Sequence, residues 1–203
     1  MNKTGEQIKS RKNAARRVYL SLRDAVPAGQ IIFKSSAIAG FLRDSREYER
    51  YGALFIYASA GSEAATRGII TRALAEGKTV ALPRITDKTK REMTFIKVDS
   101  LDELKKNIFG IEEPAYDEKK IAFTDNALVI APGVAFSLDG TRIGRGGGFY
   151  DRWLAKNKYG FCAGLCFEAQ IAESLPFDDT DVKLGALITE NGFFYTGAVP
   201  LND

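Results

Sequence analysis

The chain has 203 residues, 45% of them hydrophobic and 27% charged. That is enough to bury a sizeable core in one domain spanning residues 1–203, and too apolar for a disordered chain. Histidine is absent, which excludes Ser-His and Cys-His catalytic pairs and imidazole metal sites. Acid–base work would fall to carboxylates, Lys or Tyr, and a metal would be a hard cation on oxygen ligands, Mg²⁺ first among them. No apolar run approaches the roughly 20 residues of a membrane span. The start, Met1-Asn2-Lys3-Thr4-Gly5-Glu6-Gln7, has no apolar signal core. A cytoplasmic protein that binds no membrane is expected. The net charge of +3 is unevenly placed, with 11 basic against 5 acidic residues over positions 1–50. A basic segment suits a polyanion, either nucleic acid or nucleotide phosphates.

Along the chain, residues 6–25 predict a helix, because Ala15, Val18, Tyr19 and Leu22 form one apolar stripe. Pro27 and Gly29 end it, and residues 30–43 predict a second helix. The run 53–58, Ala-Leu-Phe-Ile-Tyr-Ala, reads as a buried strand. Ser62 is a candidate N-cap for a helix from Glu63 to about Glu76, stopped by Gly77. Thr79–Leu82 is the next strand, closed by Pro83, and completes a βαβ unit. Met93–Val98 reads as a strand, and Leu101–Asp125 as loop and short helix. Ala127–Ala131 is a strand before Pro132-Gly133, and a helix is expected near Phe149–Asn157. Phe161–Phe167 and Ala186–Thr189 are further strands. Cys162 and Cys166 lie in the first of these and read as buried hydrophobes, since zinc would need more ligands. The alternation of strands and helices argues α/β architecture.

Five of the nine residues from Gly140 to Gly148 are glycine: 140, 144, 146, 147 and 148. Glycine lets backbone N–H groups approach a ligand closely and form an anion-binding nest, and the following helix offers its N-terminus to the same anion. Arg142 and Arg145 can add charge-assisted bonds to phosphate oxygens. Asp151 stands where it could hold Mg²⁺ against them. Neither G-x-x-x-x-G-K-[ST] nor G-x-G-x-x-G fits, because Phe149 replaces the third glycine of the latter.

The segment Pro132-Gly133-Val134-Ala135-Phe136, followed by Gly140-x-Arg142-Ile143-Gly144-Arg145-Gly146-Gly147-Gly148-Phe149-Tyr150-Asp151-Arg152, resembles the signature of the 5-formyltetrahydrofolate cyclo-ligase family, also called 5,10-methenyltetrahydrofolate synthetases. Glu63-Ala64-Ala65-Thr66, Gly77-Lys78, Pro83-Arg84, Gly164–Phe167, Gln170, Leu175-Pro176, Asp181 and Thr189-Glu190 extend the likeness over nearly the whole chain. The resemblance implies an open, mostly parallel sheet flanked by helices, the three-layer NagB/RpiA/CoA-transferase-like fold. It also implies ATP as co-substrate, with Mg²⁺, and the conversion of 5-formyltetrahydrofolate to 5,10-methenyltetrahydrofolate through a phosphorylated formyl group.

Carried over by residue, the resemblance gives Lys12 and Arg16 to ATP, with Arg11 the alternative if the register shifts by one. The loop Arg142, Ile143, Gly144, Arg145, Gly146, Gly147, Gly148, Phe149 and Tyr150 would wrap the phosphates, with Arg145, Arg142 and Tyr150 nearest the chemistry. Ala58, Glu63, Arg145, Gly147 and Phe149 would meet the folate, Glu63 on its pterin ring. Asp151 and Asp181 match the metal positions, with Asp178 and Asp179 as neighbours able to replace Asp181. The implied partners are small molecules and not nucleic acid, taken up by a monomer or homodimer. Departures stand at Ser137, Thr180 and Gly185; the first and third motivate an alternative, a divergent ATP-using relative acting on another formylated or carboxylated metabolite. An RNA-binding protein is the other alternative, and the acidic excess of residues 51–203, 18 basic against 21 acidic, argues against it.

Overall fold

The computed structural model describes residues 3–107 and 111–198. Helices α1 (Lys3–Asp24), α2 (Ala28–Arg43) and the short α3 (Arg46–Arg50) lead into strand β1 (Ala53–Phe55). Helix α4 (Arg67–Ala75), strands β2 (Thr79–Asp87) and β3 (Glu92–Lys97), and a small hairpin of β4 (Leu104–Lys106) and β5 (Glu112–Pro114) follow. Next come β6 (Ala127–Ile130), β7 (Ala135–Ser137), β8 (Arg142–Ile143), α5 (Phe149–Lys156), β9 (Phe161–Leu165), β10 (Ile171–Ala172), β11 (Ala186–Thr189) and β12 (Gly192–Tyr195).

The main sheet has seven strands in the order β12-β11-β9-β6-β1-β2-β3. Its five inner strands are parallel, and the edges β12 and β3 run antiparallel to their neighbours. Alternation across the pleat divides the core. Leu54, Ile56, Val80, Leu82, Leu128 and Ile130 face Ile38 and Leu42 of α2 and Ile69, Ile70 and Ala73 of α4. Phe55, Phe95, Val129 and Cys162 face Trp153 and Leu154 of α5. The Phe95 and Trp153 rings meet edge-on at 4.7 Å. The expected three-layer α/β fold, a mostly parallel sheet between helices, is the one observed. A second small sheet, β10-β7-β8, is absent from the sequence reading because each strand has only two or three residues. Among the described residues no single helix is long and apolar enough to cross a membrane; α1 and α2 together have the length, but they meet at 102°.

Several expected boundaries move. The strand expected over 53–58 ends at Phe55 and the one expected over 161–167 at Leu165. Ser62 does not cap α4, which starts at Arg67 after Thr66. Instead, residues 57–66 form a loop stitched to itself: the Ser59 amide donates to Thr66 Oγ1, the Thr66 amide to Ser59 Oγ, and the Thr66 hydroxyl to the Tyr57 carbonyl. Polar side chains that bond nearby backbone compete with helix here and win. Pro83 does not close β2, which continues to Asp87. Since β1 ends at Phe55, opposite Ala81, one side of β2 is free beyond that point and a missing donor is tolerated. The stretch 101–125 holds the β4–β5 hairpin besides turns, and its residues 108–110 lie outside the described ones.

Candidate active site

Two connections converge where helix α5 begins. The loop 144–148 joins β8 to α5, and the stitched loop 57–66 leaves the carboxyl end of β1. In open parallel sheets the crevice beyond the carboxyl ends of the strands is the customary place for ligands. Gly146 (φ 96°) and Gly148 (φ 68°) adopt backbone that side chains disfavour, and Gly148 is the N-cap of α5. Gly147 lacks a side chain for a different reason: a Cβ there would lie 2.6 Å from the Phe149 ring, which folds over it. The helix thus opens beneath a glycine turn with no side-chain cap among the described residues, an arrangement suited to an anion.

Helix α1 runs beside β7 and β8 and brings its cations to the loop. Arg16 Nε donates to the Gly144 carbonyl at 2.7 Å, and the Arg16 guanidinium lies against Gly146, in space a Cβ would enter. Lys12 Nζ donates to Asp178 Oδ2 at 2.7 Å and Asp181 Oδ2 at 2.5 Å. Partial burial lowers the Lys12 pKa, but the bonds to Asp178 and Asp181 outweigh it and the net shift is upward. The bonds from Lys12 and Thr180 hold the Asp178 carboxyl down at about 2.

The loop's two arginines separate. Arg142 is buried: Nη1 donates to the Pro132 carbonyl at 3.1 Å and Nη2 to Asp151 Oδ1 at 2.6 Å, while Nε has no partner among the described residues. Its guanidinium lies 5.9 Å from the centre of the Tyr150 ring. The Tyr150 hydroxyl is buried without a partner, and burial pushes this phenol well above its ordinary range. Arg145 is 58% exposed and reaches Glu63, with Nη2 2.9 Å from Oε1. The other Glu63 oxygen accepts from the Ala60 amide at 3.0 Å. Glu63 is 10% exposed, and Ala58 is buried at the start of the same loop.

Arg145, Glu63, Arg16 and the glycines therefore meet in one place, and Lys12, Asp178, Asp181 and Asp151 in an adjoining one. The Val182 amide lies 3.3 Å from Asp151 Oδ1, which sets Asp151 beside the turn carrying Asp181. Each of these two aspartates has one oxygen engaged and one with no hydrogen bond among the described residues. No group of three or more acidic, Cys or His side chains among the described residues could hold a metal by itself. The pair fits Mg²⁺ that arrives with phosphate and water ligands, which needs only one or two carboxylates. Cys162 and Cys166 are free and buried, and burial pushes the Cys162 thiol up to about 12.

Sequence reasoning missed Arg23. It lies on α1 but is only 3% exposed, with Nε 3.0 Å from Ser62 Oγ and Nη1 3.7 Å from Glu63 Oε1. A signal existed: it follows Arg16 by seven residues, two turns, on the same helix face.

Fold and site together define an α/β protein whose glycine-rich loop is bridged by Arg145 to the Glu63 carboxylate. The chain belongs to the 5-formyltetrahydrofolate cyclo-ligase family, whose model matches residues 8–190, and it is an enzyme of that class. It is 30% identical over 195 residues, 90% of this chain and 94% of the relative, to a Caenorhabditis elegans protein named a probable 5-formyltetrahydrofolate cyclo-ligase. It is 34% identical over 132 residues, 64% of this chain and 71% of the relative, to the 5-formyltetrahydrofolate cyclo-ligase of Haemophilus influenzae. Its structure is similar to that of the Aquifex aeolicus 5,10-methenyltetrahydrofolate synthetase, with a TM-score of 0.79 and 26% identity over 95% of this chain and 96% of the other.

Proposed function

We propose that the enzyme couples ATP cleavage to closure of 5-formyltetrahydrofolate into 5,10-methenyltetrahydrofolate. The observation that carries this reading is the Arg145–Glu63 bridge. It joins an exposed cation on a glycine turn, suited to phosphate, to a largely enclosed carboxylate suited to the paired N–H donors of a pterin. Two substrates that must exchange a phosphoryl group would meet at that junction.

In this reading the α5 N-terminus, Arg145 and Arg16 take the triphosphate. Lys12 turns from its aspartates toward the same charge, and Glu63 fixes the pterin with Ala58 beneath it. The Phe149 ring and Gly147 line the passage between them. The formyl oxygen attacks the γ-phosphorus and ADP leaves. The second folate nitrogen then adds to the activated formyl carbon, loses its proton, and expels inorganic phosphate. The residues here align two reactants and stabilise charge on the transferring group. None needs to act as a nucleophile, in keeping with a histidine-free chain. Tyr150, kept protonated by burial, is a wall and a hydrogen-bond donor rather than a base. Buried Arg142 contributes by fixing Asp151. Asp151 and Asp181, through their free oxygens, would hold Mg²⁺, which when bound neutralises phosphate charge.

The departures do not favour another substrate. A Cβ at Gly185 would lie 2.6 Å from the Phe161 ring, so glycine there is a matter of packing. Ser137 is buried, and its hydroxyl donates to Asp139 at 2.5 Å, within the turn between β7 and β8. Neither touches the junction.

The test is direct. Protein, MgATP and 5-formyltetrahydrofolate together should generate the methenyl absorbance, and omission of ATP should abolish it. Folded protein that gives no ATP-dependent signal sinks the proposal.

A further inference from the structure

Arg23 is the least expected charge in the molecule. Its guanidinium is 3% exposed, and it comes from a helix whose other basic side chains are mostly solvated. It is incompletely satisfied. Nε donates to Ser62 Oγ at 3.0 Å, Nη2 lies 3.6 Å from Asp24 Oδ1, and Nη1 is sealed from solvent with no hydrogen-bond partner among the described residues. Burying a charge this way is costly unless something compensates it. The nearest candidate is Glu63 Oε1, 3.7 Å from Nη1, just beyond hydrogen-bond reach.

That oxygen is shared. Arg145 binds it at 2.9 Å from the open side, and Arg23 faces it from the buried side. The two cations differ in what they can do next. Arg145 is 58% exposed on a glycine loop and is free to turn to a phosphate. Arg23 is anchored by Ser62, whose own hydroxyl donates to Asp24, and has nowhere to go. If Arg145 left Glu63 with no second cation present, a 10% exposed carboxylate would stand unpaired.

We infer that Arg23 is a positioning residue for the folate-binding carboxylate: the permanent counter-ion of Glu63, with Arg145 the exchangeable one. When Arg145 turns to the triphosphate, the unpartnered Nη1–H closes on Oε1. Arg23 on one side and the Ala60 amide on Oε2 then hold the carboxylate plane aligned with the two parallel N–H donors of the pterin edge. This rests on the proposed function, in which Glu63 reads that edge.

The experiment is calorimetric titration of R23Q, R23K, E63Q and R23Q/E63Q with 5-formyltetrahydrofolate in the presence of a saturating non-hydrolysable MgATP analogue, which draws Arg145 to the phosphates, and, separately, with MgATP alone. Loss of a charge-assisted contact predicts about tenfold weaker folate binding by R23Q, with MgATP affinity within about twofold of the parent. R23K should lie between R23Q and the parent. The double variant should bind folate no more weakly than E63Q alone, because a counter-ion acts only through its carboxylate. Unchanged folate affinity in R23Q, an equal loss for both ligands, or additive losses in the double variant would each overturn the inference. Should R23Q fail to fold, R23K decides: a loss confined to folate supports the role, and unchanged folate affinity removes it. If E63Q itself binds folate normally, the reading of the site has failed. If E63Q is weakened and R23Q is not, only the role of Arg23 has failed.

Discussion

Arg142 and Arg145 stand three residues apart on one turn and occupy different media. The underside of the glycine loop is a closed polar cluster. There Arg142, 3% exposed, binds Asp151 and the Pro132 carbonyl, with the Tyr150 ring alongside. The outer side is open, with Arg145 on Glu63 and Arg16 on the Gly144 carbonyl and the Asn13 side chain. The contrast teaches that two arginines of one glycine loop need not share a role. One fixes the loop from below through Asp151 and Pro132, while the other is held above it by Glu63.

The comparison makes the two residues separable by experiment. Arg142→Ala should be the most damaging change. It strands Asp151, itself only 19% exposed, and breaking a buried pair from one side costs about 3–5 kcal/mol. Urea unfolding should show that loss, and an unchanged midpoint would remove the distinction between the two faces. Arg145→Ala should do the reverse. Turnover should fall by about 10²–10³, the cost of losing one donor to developing charge, with stability within about 0.5 kcal/mol of the parent. Steady-state rates and the same unfolding series check both halves. A stability loss as large as that of Arg142→Ala would show that the outer bridge is structural.

A smaller effect separates the loop's glycines. Gly148→Ala keeps free space around the new methyl, whose nearest contact beyond the adjacent backbone is an Arg91 nitrogen at 4.0 Å. It must nevertheless hold φ 68° at the N-cap of α5, a strain of about 1–2 kcal/mol. A thermal unfolding midpoint equal to the parent's would show that the turn can relax to another conformation.

The layers and the loop were legible in the sequence because each rests on a local rule. Residues 53–58, 80–82 and 127–131 are continuous apolar runs, as strands buried on both faces must be, although the first strand ends at Phe55. The glycines at 146 and 148 announce positive φ. What the sequence hid is what tertiary contact decides. Ser62 before Glu63 reads as a helix cap, yet Thr66 and Ser59 cross-bond and push the helix start to Arg67. Strands β7, β8 and β10 are too short to show a period. Arg142 and Arg145 have the same side chain within one motif, and only packing against Pro132 and Asp151 tells them apart. Arg23 looks like one more charge on a basic helix until the stitched loop closes over it.

The smallest effect tests the adjoining cluster, where Lys12 holds Asp178 and Asp181. With its folded pKa held to about 2, below that of the unfolded chain, Asp178 contributes stability that is fully present above pH ~4. That contribution fades as the pH falls through 2. Asp178 is 35% exposed, so solvent screening limits the contribution to about 1 kcal/mol or less. Asp178→Asn should therefore lower stability by a constant small amount at neutral pH, and the gap from the parent should close between pH ~4 and ~2. Urea midpoints across that range measure it. A gap that persists at pH 2 would show that the side chain stabilises the turn through its bonds to Thr180 and owes nothing to Lys12.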